Sequence, residues 1–139
     1  MCIRDRVDNK CRYNTPPTYG IYLCGKVFKW IQQMGGLEEM KKLNYAKAKL
    51  VYDYLDESKL FHGTADRAFR STMNATFTTG NKELDMVLVE DSKKYGFVSL
   101  KGHRFVGGLR ATLYNAIPID NVKALVSYLK QFEVNYYKI

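Results

Sequence analysis

Residues 108–116, GLRATLYNA, alternate apolar and polar side chains. Leu109, Ala111 and Leu113 fall on one side and Arg110, Thr112 and Tyr114 on the other, the period of two expected of a strand with one dry and one wet face. Residues 71–79, STMNATFTT, repeat the pattern, with Met73, Ala75 and Phe77 opposed to Thr72, Asn74 and Thr76. Between them, NKELDMVLVEDSKKYG (81–96) reads as a helix ending at Gly96, although MVLV (86–89) alone could be a strand, and FVSLKG (97–102) reads as a short strand. A closing helix spans about residues 119–136, with Val122, Leu125, Val126, Leu129 and Phe132 as its stripe. The order β-α-β-β-α predicts a small, mostly antiparallel sheet covered by helices on one face, so the fold class is α/β with an α+β C-terminal part.

Upstream, the pattern is helical. A first helix is predicted over about residues 17–34, with Leu23, Cys24, Val27, Ile31 and Met34 as its stripe and Gly35-Gly36 as its stop. A second covers about residues 37–56, with Leu37, Met40, Leu43, Ala46, Leu50 and Tyr54 at intervals of three and four. Residues 57–67, ESKLFHGTADR, read as a connection. Three stretches are marked out: 1–12, the helical 13–56, and 57–139 as a small α/β domain.

Composition narrows the function classes. With 46% hydrophobic and 26% charged residues the chain reads as globular, and no apolar run approaches the roughly 18 residues of a membrane span. The start, MCIRDRVDNK, lacks the apolar stretch of a secretory signal. Cys2, Cys11 and Cys24 share no metal-type spacing and read as free thiols in a reducing cytoplasm. The net charge of +8 hints at anionic partners, but the lysines alternate with Asp and Glu along helix faces. Neither candidate strand carries the closely spaced aromatics that base stacking needs, so neither a nucleic-acid nor a membrane partner is expected.

Two clusters could carry chemistry. In LKGHRFVGGLRATLYN (100–115), Lys101, His103, Arg104 and Arg110 lie within ten residues, jointed by Gly102, Gly107 and Gly108. Such a loop fits a small molecule with two anionic ends, His103 and Arg104 at one and Arg110 at the other. It equally fits an exposed basic hairpin whose glycines serve the turn. In NTPPT (14–18), Asn14 and Thr15 precede a proline-stiffened helix start. They are good cap residues, and they also stand where a helix N-terminus can receive a phosphate.

The stretches NTPPTYGIYLCGKVFKWIQQMGGLEEM, RSTMNATFTT and LKGHRFVGGLRATLYNAIP occur in this order, and at this separation, in the phosphoserine aminotransferase family. The chain resembles the C-terminal portion of that family from about Tyr13 onward, which implies that 1–12 is a foreign or truncated start with a remnant of the large domain and that 13–56 bridges the large and small domains. The resemblance implies the small domain of a fold-type-I, pyridoxal 5'-phosphate-dependent homodimer. It also implies amino-group transfer between glutamate and 3-phosphohydroxypyruvate, giving 2-oxoglutarate and phosphoserine in serine biosynthesis, and in bacteria a related step of pyridoxine biosynthesis. By the same resemblance Asn14 and Thr15 match the pair that reaches across the dimer to the cofactor phosphate. His103 and Arg104 match the pair binding the substrate's distal phosphate or carboxylate, and Arg110 the arginine that takes the α-carboxylate. The family's Schiff-base lysine lies ahead of this stretch, so this chain is expected to contain no catalytic residue and not to transaminate by itself. The alternative expectation is a freestanding regulatory domain that binds an anion or amino acid without cofactor.

Overall fold

The computed structural model describes residues 7–12 and 15–137. The chain divides into two compact units, Met1–Met40 and Lys41–Ile139. The element order is α1 (Thr18–Gln33), α2 (Gly36–Glu57), β1 (His62–Gly63), a 3-10 turn at Arg67–Phe69 and β2 (Asn74–Thr78). After these come α3 (Lys82–Ser92) with a 3-10 turn at Lys93–Tyr95, then β3 (Lys101–His103), β4 (Gly107–Thr112) and α4 (Ile119–Tyr136).

The four strands form one antiparallel sheet in the order β1-β2-β4-β3. The register pairs Ala75 with Ala111 and Phe77 with Leu109, and all four are essentially buried. The intervening pairs, Asn74 with Thr112 and Thr76 with Arg110, lie on the wetter face. The alternation in both stretches is therefore realised residue by residue. Against the dry face pack Val51 and Leu55 of α2, Leu88 of α3, and Val122, Leu129 and Phe132 of α4. Burying each such side chain stabilises the fold by about 1.5–3 kcal/mol.

The helix of residues 81–96 forms as expected. Asn81 caps it, its side-chain oxygen accepting from the Glu83 and Leu84 amides, and Gly96 ends the following turn at φ 82°. Asp85 is buried but saturated, accepting from the Thr78 and Thr79 hydroxyls and the Thr79 amide. The closing helix matches its predicted span.

Four expectations need correction. Residues 57–67 are more than a connection: His62 and Gly63 form β1 at the sheet edge, and Leu60 and Phe61 enter the core. A two-residue strand is too short to carry a visible alternation. In α2 the buried side chains are Met40, Lys47, Ala48, Val51, Tyr52, Tyr54 and Leu55, so Met40 and Tyr54 of the expected stripe are buried, whereas Leu37, Leu43 and Ala46 are exposed. The helix is apolar on more than one side, and its second half turns Val51 and Leu55 to the core. The stripe of α1 is not buried, since Leu23, Cys24, Val27 and Met34 are exposed and no α1 residue is buried.

The fourth correction concerns FVSL (97–100), which is irregular rather than a strand. Ser99 sits at φ 63°, a left-handed conformation that costs a residue with a side chain about 1–2 kcal/mol. The chain turns there, and β3 pairs with β4 only from Lys101 onward.

Candidate functional site

The β3–β4 hairpin is shaped by its glycines. A Cβ at Gly102 would overlap the Gly107 carbonyl oxygen and come within 2.7 Å of the Gly108 carbonyl oxygen. Gly108 sits at φ 65°, where a Cβ would lie 2.9 Å from the Phe77 carbonyl oxygen. The strands thus close more tightly than side chains permit. The Val106 amide donates to the His103 carbonyl at 3.0 Å, closing a turn over residues 104–106.

His103 ends β3 and Arg104 opens the turn, both exposed. Phe105, 80% exposed, organises the pair: the Arg104 guanidinium carbon lies 4.6 Å from its ring centroid, and the His103 ring lies 5.5 Å away. The Phe105 amide donates to His103 Nδ1 at 3.4 Å. Arg110 is half-buried in the middle of β4, and its buried Nε has no hydrogen-bond partner. The ion pairs among the described residues use Lys49, Arg67, Arg70, Lys93, Lys94 and Lys123, and none involves His103, Arg104 or Arg110. The hairpin therefore carries cationic donors without a neutralising carboxylate, and its electrostatics favour an anionic guest.

The three predicted residues share one hairpin but not one cavity. Arg110 lines a cleft of about 750 Å³ beside β4, together with Ser99, Thr112, Tyr114 and Asn121. His103 and Arg104 stand at the hairpin's end and do not line it.

Lys47, on α2, is a residue that sequence reasoning missed. It is 2% exposed, and its Nζ donates to the carbonyls of Tyr114 at 2.8 Å, Ile117 at 3.3 Å and Leu113 at 3.5 Å. Burial lowers its pKa from the ordinary lysine value. Asn44 assists by donating to the Asn115 side chain at 2.8 Å. Together they clamp the chain leaving β4, so that Arg110 projects from a strand held at both ends. The lysine's place in a helix of many lysines gave no signal of this.

The second predicted cluster lies in the other unit. Asn14 is outside the described residues. Thr15 is exposed, three residues ahead of α1. The helix cap is Pro17, with no side-chain cap hydrogen bond, and the first turn carries no acidic residue. Thr15 therefore does not serve as the cap that its residue type suggests. The Thr18 amide already donates to the Pro16 carbonyl at 2.8 Å, so what the helix start offers a phosphate group is an exposed hydroxyl and a first turn with no repelling carboxylate.

The chain matches the Aminotransferase class-V family model over residues 3–125. It belongs to the class-V aminotransferase family. Among curated class-V relatives, it is 48% identical over 124 residues to a phosphoserine aminotransferase of Lactiplantibacillus plantarum, which covers 89% of this chain and 35% of the relative. A Nitrosomonas europaea phosphoserine aminotransferase is 44% identical over 133 residues, 96% of this chain and 36% of the relative. Solved structures agree. The phosphoserine aminotransferase from Bacillus circulans subsp. alkalophilus superposes with a TM-score of 0.89 at 46% identity, over 94% of this chain and 36% of that one. The PLP-bound enzyme from Trichomonas vaginalis gives 0.85 at 41%, over 91% and 37%. The chain spans about a third of the length of the relatives it matches. The likeness to these structures supports the α/β fold, with its small antiparallel sheet, as that of fold-type-I enzymes.

Proposed function

We propose that this chain provides the substrate-anchoring part of a pyridoxal 5'-phosphate-dependent phosphoserine aminotransferase, which moves an amino group between glutamate and 3-phosphohydroxypyruvate. Its setting is a cytoplasmic homodimer in serine biosynthesis, and in bacteria pyridoxine biosynthesis as well. The observation that carries the reading is a glycine-jointed hairpin presenting His103, Arg104 and Arg110 with no acidic partner.

The two amino acids share an α-carboxylate and differ at the far end, one a carboxylate and the other a phosphate. Arg110 on rigid β4 suits the shared group, because a planar guanidinium pairs with a carboxylate through two parallel hydrogen bonds. His103 and Arg104, on the turn, suit the variable end, where an exposed imidazole and guanidinium can adjust to either anion. Holding both ends fixes the reacting carbon and converts a chance encounter into an oriented one. Thr15, with Asn14, would hold the cofactor's phosphate, reaching the site of the partner protomer. The cofactor, when bound, supplies the electron sink for transamination.

The test is a chimera joining the preceding two-thirds of the Lactiplantibacillus plantarum relative to residues 13–139 of this chain. Turnover of glutamate with 3-phosphohydroxypyruvate is expected. The Arg110→Lys chimera should lose roughly 100-fold or more in kcat/KM, as for loss of a charge-assisted, orienting contact. A folded, dimeric chimera that binds pyridoxal phosphate but is inert toward both substrates would contradict the proposal.

A further inference from the structure

The cleft beside β4 exists because two neighbouring strands end at different places. β4 runs to Thr112, whereas β3 begins only at Lys101, and the last bond on that side is from the Arg110 amide to the Leu100 carbonyl at 2.7 Å. Ser99 turns the chain away through its left-handed conformation. One rung further, the Thr112 amide points to the same uncovered edge, since the next amide along the chain, that of Leu113, donates to Met73 on the β2 side. Among the described residues no backbone acceptor meets the Thr112 amide. The irregular segment thus leaves an open backbone donor at the edge of a cavity lined also by Ser99 and by Arg110, whose buried Nε has no hydrogen-bond partner. None of the cavity's lining residues is acidic, and Phe97, Leu100 and Leu125 give it apolar walls.

We infer that Ser99 and the Thr112 amide complete the carboxylate subsite of Arg110, as positioning groups that fix how a small carboxylate lies against the guanidinium. The inference rests on the reading that Arg110 holds a carboxylate. A carboxylate has two oxygens and about four acceptor directions, more than one guanidinium can fill. With Arg110 taking both oxygens through two parallel bonds, the Thr112 amide and Ser99 hydroxyl serve the acceptor directions that remain. The left-handed Ser99 then has a purpose: it both opens the β4 edge and carries a donor to it, where a regular strand would have covered the edge.

An NMR titration of the 139-residue chain with L-glutamate tests this, following the Arg110 Nε–H and Thr112 amide resonances together. Both are expected to shift along one saturation curve. Arg110→Lys should weaken binding by more than about tenfold, and Ser99→Gly by about three- to tenfold, as for the net loss of one solvent-exposed hydrogen bond. Glycine accepts φ 63° without strain, so the Ser99→Gly chain should melt no lower than the parent. A Thr112 amide that stays still while Arg110 shifts, or a Ser99→Gly chain that binds as the parent does, would overturn the inference and leave the Arg110 reading standing. No shift at Arg110, or an Arg110→Lys chain of unchanged affinity, would remove that reading itself and the inference with it.

Discussion

Helices α1 and α4 are of similar length, 16 and 18 residues, and both are rich in apolar side chains, yet they end up in opposite environments. α4 buries Val122, Leu125, Tyr128, Leu129 and Phe132. α1 buries nothing and exposes Tyr19, Ile21, Tyr22, Leu23, Val27 and Phe28. Its apolar residues lie on more than one side, which is the pattern of a helix meant to be covered all round. The second unit therefore holds its own core. α1 carries surface whose energetic return depends on something beyond the described residues. The two candidate clusters divide in the same way, His103, Arg104 and Arg110 on the self-sufficient unit and Thr15 ahead of the uncovered helix.

That contrast can be broken at its strongest point first. Phe77 is fully buried, with its ring edge-on to Phe61 at 5.8 Å, and Phe77→Ala should cost about 3–5 kcal/mol, read by urea denaturation. Glu133→Ala should come next. Its carboxylate accepts from the Tyr54 and Ser58 hydroxyls and the Lys59 and Leu60 amides, at 2.7–3.0 Å, tying α4 to the end of α2. Removing it strands several donors at once, about 2–3 kcal/mol.

The same carboxylate sets a pH dependence. Burial pushes the Glu133 pKa up, but the hydrogen bonds from Tyr54, Lys59, Ser58 and Leu60 outweigh it, and the net shift is below the ordinary glutamate value. A depressed folded pKa means that stability is complete above the unfolded value and is lost as pH falls through the folded one. Glu133→Gln should therefore flatten the acid limb of the stability curve. Parallel acid limbs for the variant and the parent would exclude this role.

Lys47→Met should cost about 1–3 kcal/mol by leaving the Tyr114 and Ile117 carbonyls without their donor, with faster amide exchange confined to residues 113–117. The smallest effect belongs to α1. Val27→Ser with Phe28→Ser should leave the melting of the second unit within about 0.5 kcal/mol, while reducing binding of an apolar dye. Destabilisation as large as that of Phe77→Ala would erase the distinction between the two helices.

The legible parts of the chain were those with a clear period. The dry faces carrying Ala75 and Phe77 in one strand and Leu109 and Ala111 in the other, and the stripe of α4, were read correctly because sheet and helix bury one defined side. The phase of α2 was legible only in part, at Met40 and Tyr54, because a buried lysine looks like an exposed one until three carbonyls are found at its tip. β1 is too short to show a pattern, and Ser99 belongs to a residue type that gives no warning of a left-handed turn. The hairpin cations were visible from glycine and arginine spacing. Their distribution between an exposed turn and a cleft was not, since it depends on where two strands stop pairing.

The central claim is that the hairpin separates an α-carboxylate anchor from a distal-anion anchor, and calorimetric titration tests it most directly. O-phospho-L-serine and L-serine are compared on the parent chain and on a chain carrying His103→Ala with Arg104→Ala. The parent should prefer the phosphorylated ligand by about tenfold or more, and the double variant should lose that preference while still binding L-serine as before. An undiminished preference in the double variant would contradict the account.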